Sequence, residues 1–343
     1  KLLMHPNSVD TQFVVVSNSS SNENGIYRTT DGWDSFTRVA TSGFYDIEFH
    51  PTDPTTVYAS TDNDFYISTN TGASFNWSDA NSTLPTNPSV DRVALAVTPA
   101  YPDAVYLLYG DRNTTPSSLS GYGFYVSISE GAYFTEMTTG NSSSGNILGS
   151  HTLGTSTSSQ ASYDLAIAVS PQDPLEIHVG GINMWKSTDL GNNWEPTSDW
   201  KSDGTIQTGM CGCVNNQYTH ADIHALEYHP TNGSLYCGSD GGFYRTTDQA
   251  QNWEDRSNGL EISMLYAIDL FPGNSNSVIG GTQDNGSSTW NFSANTLTGD
   301  QGADGFACIY NDDDSDEWFM TTQSGVKRTL NNGSSFSSIT PPH

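Results

Sequence analysis

Short apolar runs rich in Val, Ile, Tyr and Phe punctuate the chain, and each is bounded by Gly, Pro, Asn, Asp or Ser. Seven of them are alike: FVVVSN at 13–18, TVYASTD at 56–62, AVYLLYG at 104–110, EIHVGG at 176–181, SLYCGSD at 234–240, SVIGGTQD at 277–284 and EWFMTTQ at 317–323. Each follows a turn such as HPNSVD at 5–10, FHPTDP at 49–54, SPQDP at 170–174 or HPTNG at 229–233, with YNDDDSD at 310–316 in the last of these slots. A further run precedes the turn (FYDIEF at 44–49, SYDLAI at 162–167), and another follows (GIYRTTD at 25–31, FYISTN at 65–70, GFYRTTD at 242–248). Each unit therefore predicts four strands joined by three turns, an antiparallel meander. Seven units average about 49 residues, the length of a propeller blade. The expected blades are 1–43, 44–90, 91–140, 160–200, 219–260, 261–299 and 300–343, within a single domain over 1–343.

The turn between the third and fourth strands carries a second pattern. Ser187-Thr-Asp189-Leu-Gly191-Asn-Asn-Trp194 matches the Asp-box, Ser/Thr-x-Asp-x-Gly-x-x-Trp/Phe. Ser68 to Phe75 and Thr329 to Phe336 match it with Asn for Asp. Degenerate copies run from Thr29 to Phe36 (Trp33 for Gly), Ser127 to Phe134 (Ser129 for Asp) and Thr246 to Trp253 (Ala250 for Gly), and the sixth unit has none. The chemistry is that of a turn: the Asp or Asn side chain accepts backbone N–H groups, Gly permits positive φ, and the aromatic ring packs between blades. On these residues the chain resembles the Asp-box (BNR repeat) β-propeller superfamily, including its sortilin-type and xyloglucanase-type members. The resemblance covers essentially the whole chain and implies an all-β, seven-bladed β-propeller of four-stranded antiparallel blades with Asp-box turns. It implies no single function, because sialidases, xyloglucan-cleaving glycoside hydrolases, sortilin-type receptors and a photosystem assembly factor share the box.

Composition narrows the partners. Eleven Lys and Arg stand against 38 Asp and Glu, for a formal net charge of -27, so nucleic acid and anionic membranes are repelled. No stretch approaches the roughly 18 apolar residues of a membrane span. Abundant Ser, Thr and Asn with few Lys suggest an extracellular setting, secreted or cell-surface, with any signal peptide already removed. Cys211, Cys213, Cys237 and Cys308 are then disulfide candidates, while Cys211-Gly-Cys213 alone also fits half a metal site. Sequons at Asn18, Asn81 and Asn113 matter only in a eukaryotic secretory host.

In a meander the Pro turns and Asp-boxes share one face, and the remaining loops share the other. The long insertions at 110–123, 138–160 and 198–219 all fall on the second face, so the ligand site is expected there. That face also receives HADIH at 220–224 and Asp240 of GSDGG. On an extended strand His220, Asp222 and His224 would share one side, a spacing able to hold Ca²⁺ or another divalent cation. The expected ligand-binding set is His220, Asp222, His224, Asp240, Tyr218 and Arg112, with Tyr122, Tyr125 and Trp200 as aromatics able to stack on sugar rings. Asp284, Asp304, His50 and His229 read as structural turn residues.

An enzyme is the competing expectation. A sialidase, which needs an arginine triad, is rejected, because most of the seven arginines lie beside Asp-boxes or strand ends and the family's Arg-Ile-Pro motif is absent. Similarity to the xyloglucanases falls on VYASTDNDFYISTN at 57–70 and LYCGSDGGFYRTTD at 235–248, and would carry a catalytic acid over to Asp62 or Asp240. Those enzymes place two acids across a cleft between two propellers, whereas one propeller is predicted here. An inverting pair stands about 6.5–9.5 Å apart. A polysaccharide lyase would draw on His151, His220, Tyr218 and Arg112. The leading expectation is a glycan- or protein-binding module of a larger exported chain; the alternatives are a glycoside hydrolase or lyase acting on extracellular polysaccharide, or a structural element of a surface assembly. Additional domains of the same chain are expected, and Lys1 and His343 are expected to meet where the first and last blades close the ring.

Overall fold

The computed structural model describes residues 1–17, 22–62, 64–85, 90–111, 122–140, 145–201, 217–260, 264–271, 273, 276–294, 296–301, 304–323 and 325–339. Blade 1 comprises β1 (Leu2–His5), β2 (Ser8–Val16), β3 (Gly25–Thr29) and β4 (Thr37–Ala40), and blade 2 comprises β5 (Asp46–Phe49), β6 (Val57–Ser60), β7 (Phe65–Ser68) and β8 (Asn76–Trp77). Blade 3 holds β9 (Val90–Val97), β10 (Val105–Asp111), β11 (Tyr122–Ser127) and β12 (Thr135–Gly140). In blade 4 the strands are β13 (Ala166–Val169), β14 (Ile177–Gly180), β15 (Met184–Ser187) and β16 (Glu195–Pro196). Those of blade 5 are β17 (Ile223–Tyr228), β18 (Leu235–Ser239), β19 (Gly242–Thr246) and β20 (Glu254–Asp255). Blade 6 has β21 (Leu265–Leu270), β22 (Ser277–Thr282), β23 (Ser287–Asn291) and β24 (Thr296–Gln301), and blade 7 has β25 (Gly305–Asn311), β26 (Asp314–Thr322), β27 (Gly325–Thr329) and β28 (Ser337–Ser338). Every sheet is a four-stranded antiparallel meander in chain order, so the fold is the expected seven-bladed β-propeller. The chain divides into two compact units, residues 1–256 with blades 1 to 5 and residues 257–343 with blades 6 and 7.

Within the first unit the cores lie between sheets, and the two-residue period of the strands decides which core each side chain enters. Along β10, Leu107 and Tyr109 join Tyr58 and Phe65 of blade 2, while Tyr106 and Leu108 join Ile167, Val179 and Trp185 of blade 4. Both faces of blade 3 are covered, so β10 and β11 are buried along their whole length. In the second unit Ile279 of β22 packs with Cys308, Tyr310, Trp318 and Met320 of blade 7. First strands of successive blades pack on one another (β5 on β9, β9 on β13, β13 on β17) and line a cavity of about 550 Å³ in the first unit.

All six turns with the Asp-box pattern share one hydrogen-bond net. The leading hydroxyl accepts the backbone N–H four residues on, at 2.8 to 3.1 Å, in every one of them. Asp31, Asn70, Asp189, Asp248 and Asn331 each accept a further backbone N–H through Oδ1; Ser129 supplies no such acceptor. The fifth position has positive φ in all six, with Trp33 at 76° and Ala250 at 61° paying the strain that Gly avoids elsewhere. The Pro turn and this turn are tied together in single blades, as by Thr71 N–H to Thr55 C=O (2.8 Å) and Glu130 N–H to Asp103 C=O (2.8 Å). They share a face, which leaves the other loops the opposite one.

A lock between neighbouring blades recurs at the box glycine. A Cβ on Gly72 would lie 2.3 Å from the Phe13 ring of blade 1, one on Gly131 would lie 2.6 Å from Phe65 of blade 2, and one on Gly191 would lie 2.2 Å from Phe124 of blade 3. Phe65 and Phe124 stand three residues before their box hydroxyls, Ser68 and Ser127; the equivalent residue of blade 4 is Met184. There, blade 5 carries Ala250 in place of Gly, and Met184 and Ala250 share one buried cluster.

Candidate functional site

The HADIH segment departs from the expected geometry at two points. Asp222 has φ 63°, in the left-handed region, so it does not continue an extended strand. His224 then falls at a β-bulge, where the β17–β18 register shifts between Ile223 and Ala225. A bulge re-aims its side chain. The His224 imidazole accordingly turns to Asp240, with Nε2 2.8 Å from Oδ1. His220 instead lies flat against the Asp240–Gly241 hairpin loop, close enough that a Cβ on Gly241 would sit 2.1 Å from its Cδ2. The three donors proposed for a cation therefore do not converge.

Asp240 is the hub. Its second oxygen accepts the Tyr163 hydroxyl at 2.7 Å, and the Tyr163 ring meets His224 edge to face at 4.7 Å between centroids. Asp222 is held by Gln160, whose Nε2 donates to Oδ1 at 2.8 Å, while the Asp222 C=O accepts Asp240 N–H at 3.2 Å. Gln160, Tyr163 and Asp164 stand in the crossover from blade 3 to blade 4, whereas His220 and Asp222 stand in the crossover from blade 4 to blade 5 and His224 in β17, which that crossover enters. Neither Gln160, Tyr163 nor Asp164 is predicted from the sequence. The signal that finds them is positional: like HADIH, QASYD at 160–164 closes a long insertion and leads into a first strand.

Asp164 is fully buried, and neither carboxyl oxygen has a hydrogen-bond donor. Burial and the adjacent Asp222 push its pKa up to about 8. Its own amide and the Gln160 side chain lie near enough to favour the anion without meeting hydrogen-bond geometry. Asp222 is raised too, by burial and then by the Asp240 charge, against the nearby His220 and His224. Two aspartates on first strands of other blades are paired instead: Asp46 accepts Leu95 N–H at 2.8 Å and Asp269 accepts Tyr310 N–H at 2.8 Å, each stitching its blade to the next.

Other expected residues separate from this cluster. Asp62 sits exposed at the hairpin tip closed by Thr61 N–H to Asp64 C=O (2.9 Å). Tyr122 and Tyr125 are blade-3 core rather than stacking surfaces, because both faces of that blade are covered. Tyr218 is half-buried against Tyr244, at 6.1 Å between rings. Trp200 is exposed, anchored by Nε1–H to the Ser150 C=O at 3.1 Å. His151 is tied to Thr155 in its own loop at 3.2 Å. Arg112, Cys211 and Cys213 lie outside the described residues, as do Asn18 and Asn113. Cys237, expected as a disulfide candidate, is a buried free thiol in one interblade core, and Cys308, expected as another, is buried in a second with its Sγ 3.7 Å from Ser287 Oγ. Asn81 is buried, its amide donating to Phe65 C=O (2.9 Å) and Ser78 C=O (2.8 Å). Asp304, just before β25, accepts the N–H of Asp284 in the β22–β23 hairpin at 2.9 Å.

Among the described residues, one group of His and acidic side chains brings ligand atoms within 4.8 Å of one another: His50, Asp103 and Glu130, on the opposite face. His50 Nδ1 already accepts Thr52 N–H (3.2 Å) and Asp53 N–H (3.0 Å). The ring proton is therefore on Nε2, so neither ring nitrogen offers a free lone pair to a metal. His229 repeats the device with Thr231 N–H at 3.3 Å.

No protein-family model matches the sequence, and no curated protein does. Solved structures do resemble it. A GH74 enzyme of Niastella koreensis aligns over 98% of this chain and 49% of its own at 17% identity, with a TM-score of 0.62. The GH74 xyloglucanase of Xanthomonas campestris aligns over 99% of this chain and 52% of its own at 14% identity, with a TM-score of 0.66. An ancestral GH74 enzyme gives 15% identity and a TM-score of 0.50 over 96% of this chain and 44% of its own. The chain thus spans about half the length of the structures it resembles, and the likeness defines its class as a β-propeller. Among the described residues no helix is long and apolar enough to cross a membrane.

Proposed function

We propose that the chain is a glycan-binding propeller module of a larger exported protein of the Asp-box type, and that its ligand face is the loop-rich side of blades 4 and 5. The observation that carries this reading is the exposed Tyr163, set against the Asp240–His224 contact, with a second exposed aromatic, Trp200, in the other crossover flanking blade 4. Sugars are recognised by that combination: an aromatic face for the apolar side of a pyranose and fixed polar groups for its hydroxyls. A net charge of -27 favours neutral or cationic glycans over anionic ones.

The runner-up is a glycoside hydrolase or lyase, and the likeness to xyloglucan-cleaving propellers favours it. Both Asp240 oxygens are occupied, by His224 and Tyr163, and Asp164 is sealed from solvent, so the two carboxyls suited to acid and base roles do not face a substrate together. Binding fits this geometry better.

The test is a panel of neutral polysaccharides, xyloglucan included, in affinity electrophoresis and calorimetry, with reducing-end and unsaturated-product assays on the same mixtures. Binding without product, weakened about tenfold or more by Tyr163→Ala or Trp200→Ala, is the expected result. Product from any polymer moves the chain to the enzyme reading, and neither binding nor product removes both.

A further inference from the structure

Asp164, in the loop before β13, and Asp222, in the loop before β17, are close enough to interact through their side chains, a placement hard to reconcile with two anions. Asp164 is wholly buried with both oxygens lacking a donor, a costly state for a carboxylate. Its partner Asp222 is held in a left-handed backbone, fixed from one side by Gln160 and from the other by Asp240 N–H. The titratable groups around the pair are Asp240, His220 and His224 on the Asp222 side, with the Arg92 guanidinium on the other, its Nη1 donating to Tyr163 C=O at 3.2 Å. None of these donates to an Asp164 oxygen. A divalent cation would need further oxygen ligands closing on the same point, and among the described residues no such third acidic or imidazole ligand joins the pair. A proton satisfies both carboxyls without any additional group.

We propose that Asp164 is a positioning residue of the Tyr163–His224–Asp240 site: as a buried carboxylic acid it donates a hydrogen bond to Asp222 and so clamps the loop before β13 to the loop before β17. Asp164 follows Tyr163 directly, and Asp222 lies two residues before His224, so the clamp sets how the Tyr163 hydroxyl and the His224 ring meet on Asp240. It acts through Asp222 and touches no ligand. Loss of the proton leaves a buried anion at Asp164 beside a half-buried one at Asp222, parts the loops and loosens the array. The inference rests on the glycan-site reading only for its consequence in binding.

The sign follows from linkage. The native state keeps a proton that the unfolded chain releases, so stability falls as pH rises from the ordinary aspartate value of 3.8 to about 8, and the dependence ends above that. Asp164→Asn supplies a permanent N–H donor of the same shape, and Asp164→Ala supplies none. Infrared difference spectra of wild type near neutral pH are expected to show the C=O stretch of one protonated carboxylic acid, absent in Asp164→Asn. In denaturant titrations wild type should approach Asp164→Asn at low pH and Asp164→Ala above about pH 8, while Asp164→Asn loses this pH dependence. Glycan affinity of wild type should fall about tenfold between about pH 6 and about pH 9, and that of Asp164→Asn should hold. The infrared and denaturation readouts need no ligand, so they decide on Asp164 even where no polysaccharide binds. Absence of the carboxylic-acid band, or parallel pH profiles for wild type and Asp164→Asn, overturns the proposal. So does Ca²⁺ that raises the melting temperature of wild type near neutral pH without affecting Asp164→Asn, because a cation would then fill the place of the proton.

Discussion

Gly191→Ala tests the interblade lock directly. The added methyl would stand 2.2 Å from Phe124 Cδ1 and 2.3 Å from Cε1, distances no carbon pair tolerates, and φ at that position is 81°. Phe124 has no room to retreat: it is fully buried, between Tyr106 at 6.4 Å and Trp194 at 5.3 Å. The left-handed backbone costs a β-carbon about 1 kcal/mol, and overpacking adds about 1–3 kcal/mol, so a loss of about 2–4 kcal/mol is expected. Urea denaturation followed by Trp fluorescence measures it as a fall in midpoint at constant slope. The chain also supplies its own compensation, since Met184 stands where Phe124 does and faces a blade with Ala250 in the glycine position. Phe124→Met in the Gly191→Ala background should therefore recover about half of the loss, its flexible thioether yielding where the ring cannot. A Gly191→Ala loss below about 1 kcal/mol, or a double variant no better than the single, would refute the lock.

Three further outcomes are expected. Tyr163→Phe removes the donor to Asp240 but keeps the ring, so glycan affinity should drop about tenfold, less than for Tyr163→Ala, in calorimetry. Cys237, whose thiol burial pushes up to about 12, should resist an aromatic disulfide reagent in the folded protein and react once denatured; rapid native reaction would contradict its place in the core. Burial lowers the His178 pKa, although Glu176 accepts from its Nε2 side at 3.0 Å, so the ring is neutral when folded and gains a proton more readily when unfolded. For Glu176, burial opposes the His178 and Tyr228 contacts, which win and lower its pKa. The His178 shift makes stability fall as pH drops below the ordinary histidine value of 6.5, the Glu176 shift adds to the fall only below the ordinary glutamate value of 4.5, and His178→Gln should flatten the upper part of that acid limb in denaturant titrations.

The fold was legible because each blade is written locally: a Pro turn, a β-rich run and a box turn recur in phase, and every one of these signals acts over a few residues. The candidate site was legible only in part. The sequence singles out Asp240 and sets His224 in a flat triad with His220 and Asp222, an arrangement the backbone at Asp222 and His224 does not keep. That inference assumed an extended strand, and the left-handed Asp222 and the bulge at His224 are imposed by partners outside the segment. Tyr163 reaches Asp240 across 77 residues, a pairing that no periodicity encodes. Tyr122 and Tyr125 were read as exposed because the sequence shows a polar loop beside them and not the two neighbouring blades that cover them.

The glycine lock has a direction. In the first unit each box glycine reads a ring of the preceding blade, so a blade carries a key cut for its predecessor and a socket for its successor. Blades are therefore not interchangeable beads. A grafted or duplicated blade will settle only where socket and key agree, ring with Gly or Met184 with Ala250, which makes these positions the natural seams for shuffling modules into new propellers.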